Sequence, residues 1–298
     1  MQTDSNQDKD TAMVEKLCAD QARAEDRDRW LAALLAPPST RAGIHVLTAF
    51  HGELAKIRDL VSEPMLGQIR LQWWREALDE ITAQPSEQHI LQGSLRAHPV
   101  AEALAPMIKT GRIDVGQLKA SIDAREADLD ETGFATTGDF LAYLDATAGA
   151  LNHAVLHLLQ VSEEPTHSAA RYIGRAFAIA GHLRSAAINA GRGWVTLPRD
   201  VLASHDVSID ALMAGRPGPG LQEVARTLCG EARAALTAGR KIEKPPRATL
   251  AVLALARFAE GYLARIESLG FDLFSARLEP APIAGPLHVF KTMTTGRY

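Results

Sequence analysis

The chain has 298 residues, of which 46% are hydrophobic and 5% aromatic, and its formal net charge is −4. The apolar fraction excludes a disordered protein, and the negative balance argues against a general nucleic-acid binder. Cys18 and Cys229 lie too far apart in sequence to form a CxxC pair, which fits a reducing compartment and no structural zinc. No run of about 18 uninterrupted apolar residues occurs, so no transmembrane helix is predicted.

The abundance of alanine and leucine predicts an all-α protein, because both residues favour helices and strand-forming residues are sparse. Residues 1–12 are polar, lack the apolar core of a signal peptide and are interpreted as a disordered tail. Residues 13–298 are expected to form one helical domain. Helices are predicted at 11–36, 41–61, 67–83, 98–108, 115–129, 136–161, 166–190, 198–205, 208–214, 221–238 and 247–269, with a polar connection at 85–95 and a last turn near 287–293.

Two segments carry most of the chemical information. The first, from Pro37 to Ile81, reads PPSTRAGIHVLTAFHGELAKIRDLVSEPMLGQIRLQWWREALDEI. The second, from Tyr172 to Leu202, reads YIGRAFAIAGHLRSAAINAGRGWVTLPRDVL. Together with the acidic stretch IDAREADL at 122–129, they resemble the squalene/phytoene synthase family of head-to-head prenyl transferases. The resemblance implies an all-α, isoprenoid-synthase-like bundle around a central cavity.

Active members of this family carry an aspartate-rich motif on each of two facing helices. The carboxylates hold magnesium ions, which neutralise the diphosphate groups of the substrates. In the first motif, this chain has Ala55 and Lys56 where active relatives have adjacent acids, and only Asp59 matches. Lysine has the wrong charge for a magnesium site, and Glu53 lies six residues before Asp59, on another face of a helix. The first motif is therefore predicted to be degenerate.

The second motif departs further from the family pattern. Its acids are expected after Leu183 and Arg184, but Ser185 and Asn189 stand there, and the sequence has no acid between Glu164 and Asp200. A helix without carboxylates cannot supply half of a two-cluster magnesium site. We therefore predict no catalytic residue, no metal and no cofactor, with the degenerate motif positions at Glu53, Asp59, Ser185 and Asn189.

One subgroup of the family shows this loss of acids. It comprises the assembly factors of respiratory complex I that are related to phytoene synthase, and bacterial proteins like them. The run ELAKIRDLVSE, the FDLF run at 271–274 and the terminal Arg297–Tyr298 resemble that subgroup. The resemblance implies a non-catalytic role in assembling a membrane respiratory complex of complex I type. The implied partners are respiratory-complex subunits or assembly factors, and the implied location is cytoplasmic, with peripheral contact at the inner face of the membrane left open.

Two alternative functions also stay open. A head-to-head prenyl diphosphate transferase would need Mg²⁺ and divergent ligands, for which the candidates are Asp59, Glu63, Asp123 and Asp128. The other alternative is a carrier of an isoprenoid or lipid, without chemistry. Side chains that could line the family's cavity and bind an anionic headgroup are Arg41, His51, Arg184 and Arg192, although ordinary ion pairing is the competing interpretation for these arginines.

Overall fold

The computed structural model describes residues 2–83, 98–131, 133–242, 245–279, 281 and 283–298, with side chains described from residue 11 onward. Throughout these residues the regular structure is helical and no strand occurs, which confirms the all-α prediction. The predicted connection at 85–95 lies outside the described residues. The α-helices are α1 (Gln2–Glu25), α2 (Arg27–Ala32), α3 (Pro38–Ala55), α4 (Pro64–Ala83), α5 (Pro99–Lys109), α6 (Val115–Ala124), α7 (Thr137–Leu144), α8 (Ala150–Leu158), α9 (Glu164–Gly191), α10 (Arg199–Ser204), α11 (Ile209–Met213), α12 (Gly220–Gly239), α13 (Leu250–Leu253), α14 (Leu255–Ser268) and α15 (Ala284–Thr295).

The helices are distributed over two compact units. The first unit comprises Met1–Leu129, His153–Glu163 and Pro246–Val252, and the second comprises Asp130–Asn152, Glu164–Pro245 and Leu253–Tyr298. The interpretation of residues 13–298 as one domain stays a prediction. The backbone of residues 2–12, which the sequence assigns to a disordered tail, forms the start of α1.

The core of the first unit forms where α1 and α5 pack along α3. Leu47 and Leu54 lie on α3 at a spacing of seven residues, two turns of a helix, and both are fully buried. An edge-to-face contact joins the rings of Phe50 on α3 and Trp74 on α4, whose centroids are 5.2 Å apart. The first motif segment is therefore held by buried apolar side chains on the helices around it.

The core of the second unit is built around α9, which packs against α12 and α14. Small residues allow this close packing: a Cβ atom added to Gly239 of α12 would lie 2.8 Å from Ile173 Cγ1. Phe140, fully buried, packs against His182 of α9 with ring centroids 5.1 Å apart. Among the described residues, no helix combines the length and the apolar character needed to cross a bilayer.

Five of the predicted helices are divided or end early in the structure. The helix expected at 11–36 is broken at Asp26, the one at 115–129 ends at Ala124 and continues as a 3₁₀ turn, and the one at 247–269 begins as a 3₁₀ turn and is divided between α13 and α14. The helix expected at 41–61 ends at Ala55 and is followed by a short 3₁₀ turn at Arg58–Leu60. The helix expected at 136–161 is divided by a π-helical turn at Asp145–Gly149. The differences at Ala55 and at Asp145–Gly149 lie beside or at residues that pair with distant partners, Lys56 with Glu25 and Asp145 with Arg175, which a helical sequence pattern does not show.

Candidate functional site

The first motif lies at the end of α3 and in the segment that follows it. The backbone N–H of Lys56 bonds to the carbonyl of Gly52 and closes the last turn of the helix. Asp59 then lies in the 3₁₀ turn, and Glu63 precedes α4; both residues are exposed. Because α3 ends before Asp59, the two acids of this motif, Glu53 and Asp59, do not share a helix.

Glu53 is the centre of a polar cluster inside the first unit. Its side chain is only 13% exposed, and Lys56 Nζ lies 2.5 Å from its Oε1 atom. Gln21 also donates a hydrogen bond to Oε1, and His98 Nε2 lies 3.6 Å from Oε2. Burial opposes ionisation, but the hydrogen bonds from His98, Lys56 and Gln21 outweigh it and lower the pKa of Glu53 to about 2. The carboxylate is thus ionised, and the lysine at the degenerate position supplies its counter-charge.

A second buried cluster in the same unit contains His51 and Arg125. The Nη2 atom of Arg125 lies 3.0 Å from His51 Nε2, and its Nη1 atom lies 3.0 Å from Asp128 Oδ2. Burial lowers the pKa of His51 well below its ordinary value, and the charges of Arg125 and Arg29 lower it further. His51 is therefore a neutral imidazole at pH 7, which accepts a hydrogen bond from Arg125, and it offers no positive charge to an anion.

The acidic stretch at 122–129 is engaged by arginines rather than grouped for a metal. Asp123 and Glu126 both contact Arg75 of α4, at 2.7 and 2.6 Å, while Asp128 pairs with Arg125. Within the part of the chain that the structure describes, no group of three or more His, Cys, Asp or Glu side chains could hold a metal ion. The four candidate ligands of the transferase alternative, Asp59, Glu63, Asp123 and Asp128, are thus not brought together.

The second motif lies on α9 in the second unit. Asn189 is buried, and its Nδ2 atom donates a hydrogen bond of 3.1 Å to the hydroxyl of Ser185. That hydroxyl donates in turn to the carbonyl of His182, 3.3 Å away and one helical turn earlier. The positions that the family pattern assigns to acids therefore form a neutral hydrogen-bonded row along the helix.

The arginine candidates for anion binding lie in different surroundings. Arg184 donates two hydrogen bonds to Glu279, at 2.9 and 2.7 Å, and its guanidinium stacks 3.8 Å from the ring centroid of Tyr262. Arg41 donates to two backbone carbonyls just before α3, and Arg192 is exposed beyond the end of α9. Arg41 and Arg184 are thus engaged by the protein itself.

The residues present do not fit the magnesium ions that the fold family implies. Magnesium requires oxygen ligands in nearly octahedral geometry, usually with at least one carboxylate. The buried carboxylate of the first motif contacts a lysine ammonium, and the second motif offers only a hydroxyl and an amide. No chemical step through a metal follows from these side chains, and the absence of a resident cofactor stays a prediction.

The sequence interpretation missed the partners of Glu53 and of Arg125. Two of these partners lie three residues away in sequence, in the pairs Glu53–Lys56 and Arg125–Asp128. This spacing places both side chains of a pair on one side of a helix, so the sequence could have predicted these two ion pairs. Gln21 and His98 gave no such signal, because they approach Glu53 from α1 and from the residue before α5.

Comparisons with known proteins agree with the motifs. The squalene/phytoene synthase family profile matches residues 22–283. A relative from Mus musculus, named NADH dehydrogenase (ubiquinone) complex I, assembly factor 6, is 28% identical over 284 residues, 94% of this chain and 82% of the relative. The phytoene synthase of Thermus thermophilus is 29% identical over 165 residues, 53% of this chain and 56% of that protein.

A solved structure confirms the predicted fold. Squalene synthase HpnC from Alicyclobacillus acidocaldarius superposes with a TM-score of 0.73 at 19% identity, over 88% of this chain and 95% of that one. The matched segment at 22–283 includes both motif segments and the acidic stretch between them. The chain belongs to the squalene/phytoene synthase family.

Proposed function

We propose that this chain is a non-catalytic member of its family that acts in the assembly of a membrane respiratory complex of complex I type. The observation that carries the proposal is the Glu53–Lys56 ion pair. In a catalytic member, the carboxylates of the first motif bind magnesium ions, which in turn neutralise the diphosphate of the substrate. Here the protein's own lysine neutralises the buried carboxylate.

The second motif supports the same proposal independently. A prenyl diphosphate brings several negative charges, which divalent ions must bridge to the protein. Ser185 and Asn189 carry no charge and already bond to each other. Each half of the two-cluster site therefore lacks the groups that diphosphate ionisation needs.

The relatives support the assembly role. The mouse protein, whose name describes a complex I assembly factor, matches this chain over nearly its full length, whereas the Thermus thermophilus phytoene synthase matches about half of it. We infer that the partners are respiratory-complex subunits or other assembly factors. The inferred location is cytoplasmic, peripheral at the inner face of the membrane.

A pull-down from the protein's own cells tests the assembly role. The proposal expects recovery of respiratory-complex subunits or assembly factors with the wild-type chain. Isoprenoid biosynthetic enzymes in their place would contradict it. The tag alone and an unrelated helical protein with the same tag are the controls.

Prenyl transfer is the second candidate function, and the similarity to a phytoene synthase favours it. Purified protein is incubated with farnesyl or geranylgeranyl diphosphate and Mg²⁺, next to a catalytic family member as positive control. We expect no head-to-head product. Clear turnover would overturn the non-catalytic proposal whatever the pull-down shows.

A further inference from the structure

The helix α15 is fixed to the second unit along one face. Val289 and Thr292 are buried on that face, and the ring of His288 packs 5.2 Å from the ring of Phe258 in α14. Arg257 of α14 donates a hydrogen bond of 3.1 Å to the hydroxyl of Thr292. These contacts determine which face of α15 packs against the second unit.

The residues after α15 fasten its end. Gly296 adopts a left-handed conformation, with φ of 65°, and ends the helix. The hydroxyl of Tyr298 then donates to the carbonyls of Gly239 and Ile242, at 3.2 and 3.3 Å. Arg257 also donates to the carbonyl of Arg297. The outer face of the helix thus has a fixed direction relative to the unit that carries it.

That outer face is apolar and exposed. At about 100° per residue, its four large side chains fall within an arc of about 120°, roughly opposite Thr292. They are Ile283, Leu287, Phe290 and Met293, with exposed fractions of 73%, 59%, 59% and 52%. We call these four residues the outer stripe. Several large apolar side chains grouped on one helix face mark a surface that binds another protein or a membrane.

The charge around the outer stripe indicates whether a protein or a membrane covers it. The sequence from 280 to 298 contains no aspartate or glutamate, while Lys291 and Arg297 are exposed. Lys291 lies at the edge of the stripe, where its ammonium can reach a lipid phosphate while the stripe enters the acyl region. A second copy of the chain would bring the same positive charges together, which opposes a symmetric pair.

We propose that α15 is a docking helix for an anionic membrane surface, with the outer stripe in the lipid and the basic residues at the headgroups. The proposal deepens the peripheral membrane location inferred under the proposed function, because it names the helix that docks and the charge of the lipid surface. A protein without prenyl transfer could still fail to bind lipid, so the vesicle test below and the tests of function can fail separately.

Co-sedimentation with vesicles tests this inference on the full chain. Vesicles of phosphatidylcholine with phosphatidylglycerol are compared with vesicles of phosphatidylcholine alone. We expect binding to the anionic vesicles that weakens as salt is added. The variant Leu287→Ser/Phe290→Ser is expected to lower the partition coefficient on the order of a hundredfold. Lys291→Gln is expected to lower it about fivefold on anionic vesicles alone.

A matched control is available in the first unit. Met65 and Ile69 are also exposed and apolar, at 68% and 60%, but Glu63 precedes them and Arg70 follows, so the charges next to this pair cancel. The variant Met65→Ser/Ile69→Ser should keep wild-type binding. Circular dichroism and thermal melting check that all variants are folded, which is expected because the altered side chains are exposed.

Three outcomes would overturn the proposal. The first is wild-type protein that does not sediment with the anionic vesicles, and the second is an outer-stripe variant that binds them as well as wild type. The third is a dimer, seen by sedimentation velocity without lipid, that the Leu287→Ser/Phe290→Ser variant abolishes. That result would make a second copy, and not a membrane, the body that covers the stripe.

Discussion

The ion pair at the first motif makes a quantitative prediction for stability. The pKa of Glu53 falls from 4.5 to about 2 in the folded protein, a difference of about 2.5 units. At about 1.36 kcal/mol per unit, this amounts to about 3.4 kcal/mol. Lys56 is 35% exposed, so solvent screens part of the interaction. We expect Glu53→Gln to lower the free energy of unfolding by about 2–3 kcal/mol at pH 7.

The pH dependence follows from the sign of the shift. Because the folded pKa is depressed, the stabilisation is fully present above pH 4.5 and is lost as pH falls toward about 2. Urea unfolding of wild type and Glu53→Gln should therefore give curves that differ most above pH 4.5 and converge in acid. The exposed carboxylate Glu63 provides the control, since Glu63→Gln should change stability by less than about 0.5 kcal/mol. Equal stability of wild type and Glu53→Gln at pH 7 would refute the buried ion pair.

Three further substitutions test contacts in the second unit by urea unfolding. Tyr298→Phe removes the hydroxyl whose one proton is shared between two backbone carbonyls and should cost about 1 kcal/mol. An unchanged midpoint of unfolding would show that this hydroxyl does not hold the end of α15. Gly220→Ala would place a Cβ atom 2.1 Å from the carbonyl oxygen of His205 and should lower the free energy of unfolding by about 2 kcal/mol. An unchanged stability would show that the backbone at Gly220 lies farther from His205. Asn189→Asp puts a charge at a buried position and should cost about 2 kcal/mol at neutral pH but less in acid; a stabilised variant with Mg²⁺ would argue for a metal site.

Helix existence could be predicted from the sequence because it depends on local composition. The long run of small residues in α9 and the Ser208 cap of α11 are both visible in sequence. The end of α3 at Ala55 was not predicted, since proline and serine signals occur only at 62–64. Just after that end, Ile57 is buried and Lys56 pairs with Glu25 of α1, a contact that the local sequence pattern does not show.

The π-helical turn at Asp145–Gly149 illustrates a second limit of local patterns. Asp145 forms an ion pair with Arg175 of α9, and the next helix continues with Asn152 bonded to the carbonyl of Ala170. A single regular α-helix would rotate one of these side chains away from its partner. The partners of Asp145 and Asn152 lie about 20–30 residues further along the chain, and an analysis of local periodicity does not include residues at that distance.

The loss of acids at the two motifs was predictable, because it needs only the family pattern and the residue types. The full set of contacts that takes the place of these acids was not predictable from the sequence. Glu53, Lys56 and His98 meet only after α3 and the residues before α5 pack together. The same holds for Arg184, whose partners Tyr262 and Glu279 are distant in sequence.

The division of the chain into two interleaved units bears on how it folds as it is made. Residues 246–252 belong to the first unit but are synthesised after most of the second. Leu158, whose side chain lies against Gly43, is also synthesised after residue 129. A nascent chain that stops at Leu129 thus lacks part of its own core and leaves apolar surface open to other proteins. The first unit can be completed only when most of the polypeptide has been translated.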